Sequence, residues 1–294
     1  MLQQRFIDEK CGGVWTFDFR RPDAGVWPGK IEGLLVEGHL YSHINDDGSK
    51  DAKLETEFSQ LESAAAPVFE KIVARARVWG KPELSADERE IWDIFLYEQF
   101  RRVPDFYGSL LSPEQHRVQV EKFLDEFHVR IRPLTNKERG DLLHPNRLQR
   151  SYKNLRVSSL RAGGSNVLEI IGKRGLAVVH IPNAKKSFVL GSRPVAKWTH
   201  PDTNDLADDR VELWLPIAPD VMVGLGPTAQ REVIVDISDA NVRRINEGIA
   251  AQSSQIIGRS KKLIASLKQL VGRTVGKSSV SEEEWDEPWL DGLI

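Results

Sequence analysis

Six short apolar runs between residues 165 and 237 constrain this chain more than any other feature. They span 167–171, 176–181, 187–190, 211–215, 221–225 and 231–237, each bounded by Gly, Pro, Asn or Asp. Those residues turn or break a strand. Parallel neighbours need a crossover of a dozen or more residues, and most of these connections are shorter. The pattern therefore predicts a mainly antiparallel sheet. Residues 199–209 are polar and predict an exposed loop within it.

The period changes on either side. Leu54, Phe58, Leu61, Ala65, Val68, Phe69 and Ile72 recur at three and four residues, which puts them on one helical face. Ser85 with Glu88 has capping-box spacing, and Ser112 before Pro113 reads as an N-cap with proline in the first helical position. Past the sheet, Val242, Ile245, Ile249, Ile256, Ile257, Leu263, Ile264 and Leu267 keep helical spacing. The expectation is an α+β fold: a helical middle section of about 51–140, packed on a mainly antiparallel sheet of about 165–237. A long C-terminal helix of about 239–270 follows. Residues 14–19 alternate as a strand and 34–42 predict a second one, both able to join the same sheet. Residues 137–161 read as a connection with a little helix. Residues 1–278 are expected to form a single α+β domain, with an acidic tail at 279–294.

Composition removes several function classes. The net charge of −2 excludes a general polycation. Cys11 is the only cysteine, so neither an internal disulfide nor a cysteine-rich zinc site can form. That usage suits a reducing cytoplasm, the expected location. Apolar runs are too short for a membrane span, and residues 3–10 are too polar for a signal peptide. No membrane partner is expected. A phosphate loop, a zinc-protease helix and a nucleophile elbow are all missing. His39 and His43 lie four apart, but in a segment read as strand and loop, so no metal ligands are assigned. The cofactor question stays open.

Charge is uneven along the chain. Residues 130–161 hold nine cations against Glu138 and Asp141. Arg147, Arg150, Lys153 and Arg156 are the candidate binding residues, facing a nucleic-acid backbone or an acidic protein surface. The plainer reading is a solvated face that packs on an acidic part of the same chain, such as Ser281-Glu282-Glu283-Glu284-Trp285-Asp286-Glu287-Pro288-Trp289. Cations at 259–277 need no partner if they end a helix, where the dipole favours them.

Four segments in order carry a resemblance. They are Val14-Trp15-Thr16-Phe17-Asp18, the helix with Glu55, Glu57 and Glu62, the helix end Gln99-Phe100-Arg101-Arg102-Val103-Pro104, and the sheet from Lys186 to Val195 with the helix beginning at Val242. Together, over residues 2–268, they resemble the bacterial domain-of-unknown-function family numbered 4238. Two departures stand out. Members commonly start with a His-containing, Val-Pro segment, where this sequence reads Met1-Leu2-Gln3-Gln4. An acidic residue and Asn usually precede the sheet proline, where this chain has Ser192-Arg193-Pro194.

Three further site candidates follow. Ser192 and Arg193 sit at a strand end, where a hydroxyl and a guanidinium can hold a phosphate or carboxylate. Asn246 is in the opening of the final helix. Arg101 is expected to turn inward to Glu62 or Glu57, while Glu98 and Arg102 pair along the helix. For Arg101 a structural ion pair is the plainer reading, and for Ser192-Arg193-Pro194 a structural turn. The function expected is binding of an anionic partner or nucleic acid through the basic segment, in a mobile-element or defence setting. The alternatives are a metal-dependent nuclease-type enzyme and a non-enzymatic interaction module.

Overall fold

The computed structural model describes residues 2–8, 11–35, 41–103, 111–161, 164–226 and 231–274. Strands β1 (Val14–Asp18), β2 (Trp27–Gly29), β3 (His43–Ile44) and β4 (Lys50–Asp51) come first. Helices α1 (Lys53–Arg77), α2 (Ala86–Arg101), α3 (Pro113–Arg130), α4 (Asn136–Leu142), α5 (Pro145–Arg161) and α6 (Ser165–Lys173) follow. Strands β5 (Gly175–His180), β6 (Leu190–Gly191), β7 (Ala196–Trp198), β8 (Glu212–Ala218), β9 (Val221–Gly226) and β10 (Glu232–Val235) come next. The described chain ends with α7 (Asp239–Gln252), β11 (Gln255–Gly258) and α8 (Lys261–Leu267). The architecture is α+β with mostly antiparallel sheets.

Helix starts follow local chemistry. Ser85 Oγ accepts from the Glu88 N–H at 3.2 Å, and the Glu88 carboxylate accepts from the Ser85 N–H at 2.7 Å. The same reciprocal box joins Ser112 to Gln115 and Thr135 to Glu138. Each box satisfies two amide donors that a helix start leaves unpaired.

One domain through residue 278 is the sequence expectation; the described chain divides into two compact units, with the division inside α1 between Ser59 and Gln60. Unit 1 holds the two larger sheets. One has the order β2-β1-β11-β6, and the other β10-β5-β9-β8-β7. All ladders are antiparallel except β10 beside β5. Strands β5, β8 and β9 are buried along their whole length, which matches their near-continuous apolar sequences. Gly224 is required on β9: a Cβ there would lie 2.5 Å from the Trp214 ring and closer still to the Leu213 carbonyl oxygen. Arg174 anchors the polar loop. Its guanidinium donates to the carbonyls of Leu206, Asp208, Asp209, Val211 and Gly226.

Unit 2 combines the β3–β4 hairpin, the start of α1, and α3, α4 and α5. Its own small core is Leu54, Phe58, Val157 and Leu160, with Tyr41 edge-on to Phe58 at 5.0 Å. Asn154 holds the hairpin to α5, accepting from the Ile44 N–H and donating to the Ile44 carbonyl.

Five expectations need correction. The long helix of 239–270 is instead α7, β11 and α8. Gln255-Ile256-Ile257-Gly258 is wholly buried and pairs on both edges, with β1 and β6. Isoleucines suit either period, and two flanking strands decide the outcome. The N-terminal strand β1 therefore joins a separate sheet from the main one. Residues 167–171 are helical, because a five-residue apolar run cannot distinguish strand from buried helix. Residues 137–161 carry two helices, and α5 is 17 residues long. In the stretch 34–42, Leu34 and Leu35 are outside any strand and residues 36–40 lie outside the described ones.

Candidate functional site

The three sheet-side candidates meet at α7. Asn246 is 1 % exposed; its Oδ1 accepts from the Val189 N–H at 2.9 Å and its Nδ2 donates to the Ser187 carbonyl at 2.8 Å. Two residues beyond β6, the Arg193 N–H donates to Ser253 Oγ, and Gln252 Nε2 donates to the carbonyls of Arg193 and Val195. Ser192 Oγ accepts from the Ser254 N–H at 3.0 Å and lies 3.1 Å from Ser254 Oγ. Ser192, Arg193 and Asn246 thus share one neighbourhood, and Asn246 and Ser192 spend their polar atoms gripping backbone. This is the geometry of a clamp on residues 187–195, formed by α7 and the turn after it.

Arg101 lies at the end of α2, buried, with its guanidinium 4.8 Å above the Tyr97 ring. Its carboxylate partner corrects the sequence expectation: Arg101 pairs with Glu98, and Arg102 with Glu62 at 2.6 Å. The three-residue spacing of Glu98 and Arg101 suits a helix face as well as four does. Both pairs neutralise charge where burial makes an unpaired one costly.

The basic candidates lie on α5 in unit 2, and their charge is largely met locally. Arg150 pairs with Asp46 at 2.8 Å and Arg161 with Asp51 at 2.7 Å. Arg132 pairs with Glu138 and Arg139 with Asp125, both at 2.7 Å. Glu138 is held down to about 2 by its hydrogen bonds to Arg132 and Thr135. Arg147 is exposed, whereas Lys153 and Arg156 are half-buried. The basic segment is therefore no continuous cationic track. Unit 2's described residues carry thirteen Lys and Arg against eleven Asp and Glu. Lys122, Arg130, Lys137, Arg147 and Lys153 make no ion pair among the described residues.

Apolar exposure is the feature that sequence reasoning missed. Of ten exposed large hydrophobic side chains among the described residues, six lie in unit 2: Val118, Phe123, Val129, Ile131, Leu142 and Leu155. Within α3 only His116 and Leu124 are buried. Phe123 and Phe127 on α3 and Ile131, the residue that caps it, recur every four residues; Phe123 is 65 % and Ile131 71 % exposed, while Phe127 is half-buried. Spacing shows that a helix has an apolar side; it does not show whether anything covers it.

The carboxylates are dispersed. Glu55 accepts from Ser42 Oγ, Glu57 faces Lys53, Glu62 faces Arg102, and Asp93 faces Arg89. Among the described residues no three His, Cys, Asp or Glu side chains form a group able to hold a metal ion. No described helix is long and apolar enough to cross a membrane.

A family model described as a protein of unknown function, DUF4238, matches residues 4–262, and the chain belongs to that family. No curated protein and no solved structure matches it.

Proposed function

We propose that this member of the family is a binding protein whose unit 2 docks a partner bearing acidic and apolar groups. The observation that carries this reading is the concentration of exposed apolar side chains in unit 2, on a unit that also carries cations making no ion pair among the described residues. Contiguous exposed apolar surface rimmed by polar groups marks interaction sites. Cations on the rim select acidic partners and speed the encounter more than they add affinity.

Nucleic acid is the second reading, favoured by Arg130, Lys137, Arg147 and Lys153, and it carries with it a mobile-element or defence setting. The near balance of charge in unit 2 weighs against it, since phosphate-backbone binding draws its affinity from charge neutralisation. A bacterial cytoplasmic location belongs to the same proposal, because the single cysteine suits a reducing compartment.

Fluorescence anisotropy with the full chain tests both readings. The probes are a labelled acidic peptide containing two tryptophans, a 20-nucleotide single-stranded DNA and the matching RNA. The protein reading expects the peptide to bind and Phe123→Ser with Ile131→Ser to abolish that binding. Oligonucleotide binding that weakens steeply with salt and is lost in Arg147→Glu with Lys153→Glu supports the second reading against the first.

A further inference from the structure

We infer that the turn at Val78 and Trp79 is an acid-opened cover on His180: protonation of that imidazole releases the Trp79 ring from it. The cover and the histidine both belong to unit 1. His180 ends β5 and is buried. The Trp79 ring packs edge-on against it at 5.4 Å and is itself half exposed. Asp220 Oδ2 lies 4.0 Å from Nε2, while Nδ1 is buried with no hydrogen-bond partner. A neutral imidazole fits this place, since its single N–H can sit on Nε2, on the Asp220 side. An imidazolium does not fit. Nδ1 then carries a second N–H, and a charged donor buried without an acceptor is costly.

The turn is held weakly. At the end of α1 the Trp79 N–H donates to the Ala76 carbonyl at 3.0 Å and the Gly80 N–H to the Arg75 carbonyl at 2.9 Å. This pair of bonds puts Trp79, at φ 56°, in the position that glycine usually takes. A left-handed backbone crowds the Cβ of a bulky residue. Val78 beside it is 70 % exposed, so the turn buries little apolar surface of its own. Its flanks are tied down. Arg77 pairs with Asp220 at 2.7 Å, and Arg75 Nε donates to the Lys81 carbonyl at 2.9 Å. The Glu232 carboxylate accepts from the Glu83 and Leu84 N–H groups. Movement is thereby confined to Val78, Trp79 and Gly80.

Few charges face the imidazole. Burial opposes its protonation, Asp220 favours it, and Arg77, paired with that same carboxylate, opposes it. Glu70 supports Arg77 from the same helix. On β9 the residue opposite His180 is Val221, and that strand carries no charge. Beyond β10, Asp236 Oδ1 accepts from the Ile237 N–H, and Glu232 is taken by the two amides above. In the turn after β5, Lys185 is exposed and Lys186 lies 3.4 Å from Asp239. Opening the cover puts the imidazole in water, where it takes up the proton that the closed form excludes. Below 6.5, each unit of pH lost raises the open-to-closed ratio by up to about tenfold, until the closed form is protonated too.

Two NMR measurements on the full chain test this. In protein labelled with 5-fluorotryptophan, the fluorine resonance that Trp79→Phe removes belongs to Trp79. It should shift, or give way to a second resonance, as pH falls from 7 to 5. In His180→Gln, which cannot titrate, it should not respond. The second measurement follows the His180 Cε1–H signal, identified by its loss in His180→Gln. Its titration midpoint should lie below 6.5 in the natural chain and move towards 6.5 in Trp79→Gly. That variant removes the cover and puts the favoured residue on the left-handed backbone, so the fold is kept. A Trp79 resonance that ignores pH, or responds equally in His180→Gln, overturns the inference. A His180 midpoint that Trp79→Gly leaves in place overturns it as well. Should His180→Gln not fold, the His180 signal is assigned through its Overhauser contact with the Trp79 ring, and the Trp79→Gly midpoint decides alone. None of these outcomes bears on peptide binding by unit 2.

Discussion

Arg101 and Glu98 form a two-pronged ion pair on a single helix face, Nε to Oε2 at 3.0 Å and Nη2 to Oε1 at 2.8 Å, with side chains only 7 % and 12 % exposed. Removing Glu98 takes a carboxylate away from two nitrogens of the buried guanidinium. Glu98→Ala is expected to destabilise the protein by about 3–5 kcal/mol in urea unfolding. Glu98→Leu combined with Arg101→Met should recover most of that loss, because it leaves no buried charge behind. A double variant no more stable than the single one would contradict this account of the pair.

Asn246 is predicted to act on stability. Asn246→Ala leaves the Val189 N–H and the Ser187 carbonyl without partners, at about 1–3 kcal/mol for each buried group. Asn246→Asp keeps the acceptor and loses the donor. It should unfold at a lower urea concentration than the natural chain. Natural-like unfolding midpoints for both variants would release Asn246 for a ligand role.

Gly224→Ala tests close packing on the central sheet. The Leu213 carbonyl cannot yield without moving β8, so a loss of at least about 1–3 kcal/mol is expected. Thermal unfolding measures it. Gly33→Ala is the control, since a Cβ at Gly33 meets open space and that variant should melt near the natural temperature.

His180 predicts a pH dependence. Burial lowers its pKa below the ordinary value of 6.5, opposed by Asp220, whose Oδ2 lies 4.0 Å from Nε2, and reinforced by Arg77. The Trp79 ring packs edge-on against the imidazole at 5.4 Å. With the folded pKa lowered, the unfolded chain takes up the proton first. Stability is therefore fully present above 6.5 and is lost as pH falls from 6.5 through the folded value. His116, whose pKa burial also lowers, adds a second loss of the same sign. His180→Phe should flatten the stability profile between pH 7 and 5 while leaving the His116 share. An unchanged slope would place the acid sensitivity elsewhere.

Much of the fold was legible because it is written locally. Ser85 with Glu88 and Ser112 with Pro113 marked helix starts from side chains that reach only three residues. The runs at 176–181 and 221–225 marked strands from continuous apolar composition. The errors share a physical cause. Ile256 and Ile257 fit a helix or a strand equally, and pairing with residues 15–18 and 190–191 made them a strand. The sequence offered Glu62 or Glu57 to Arg101 and Glu98 to Arg102, and only the packed helix end gave Glu98 to Arg101 and Glu62 to Arg102.

The candidate surface divides the same way. Charge order along residues 130–161 is a property of the sequence, as is the four-residue spacing of Phe123, Phe127 and Ile131. Local chemistry set the helix starts, most of the strands and the α+β class, because caps, turns and periodicity act over a few residues. Tertiary structure alone decided that Asp46, Asp51, Asp125 and Glu138 neutralise four of the nine cations, and that Phe123 and Ile131 stay exposed. Ion pairing and burial depend on what the fold brings alongside a side chain, and several of those partners stand far away along the chain.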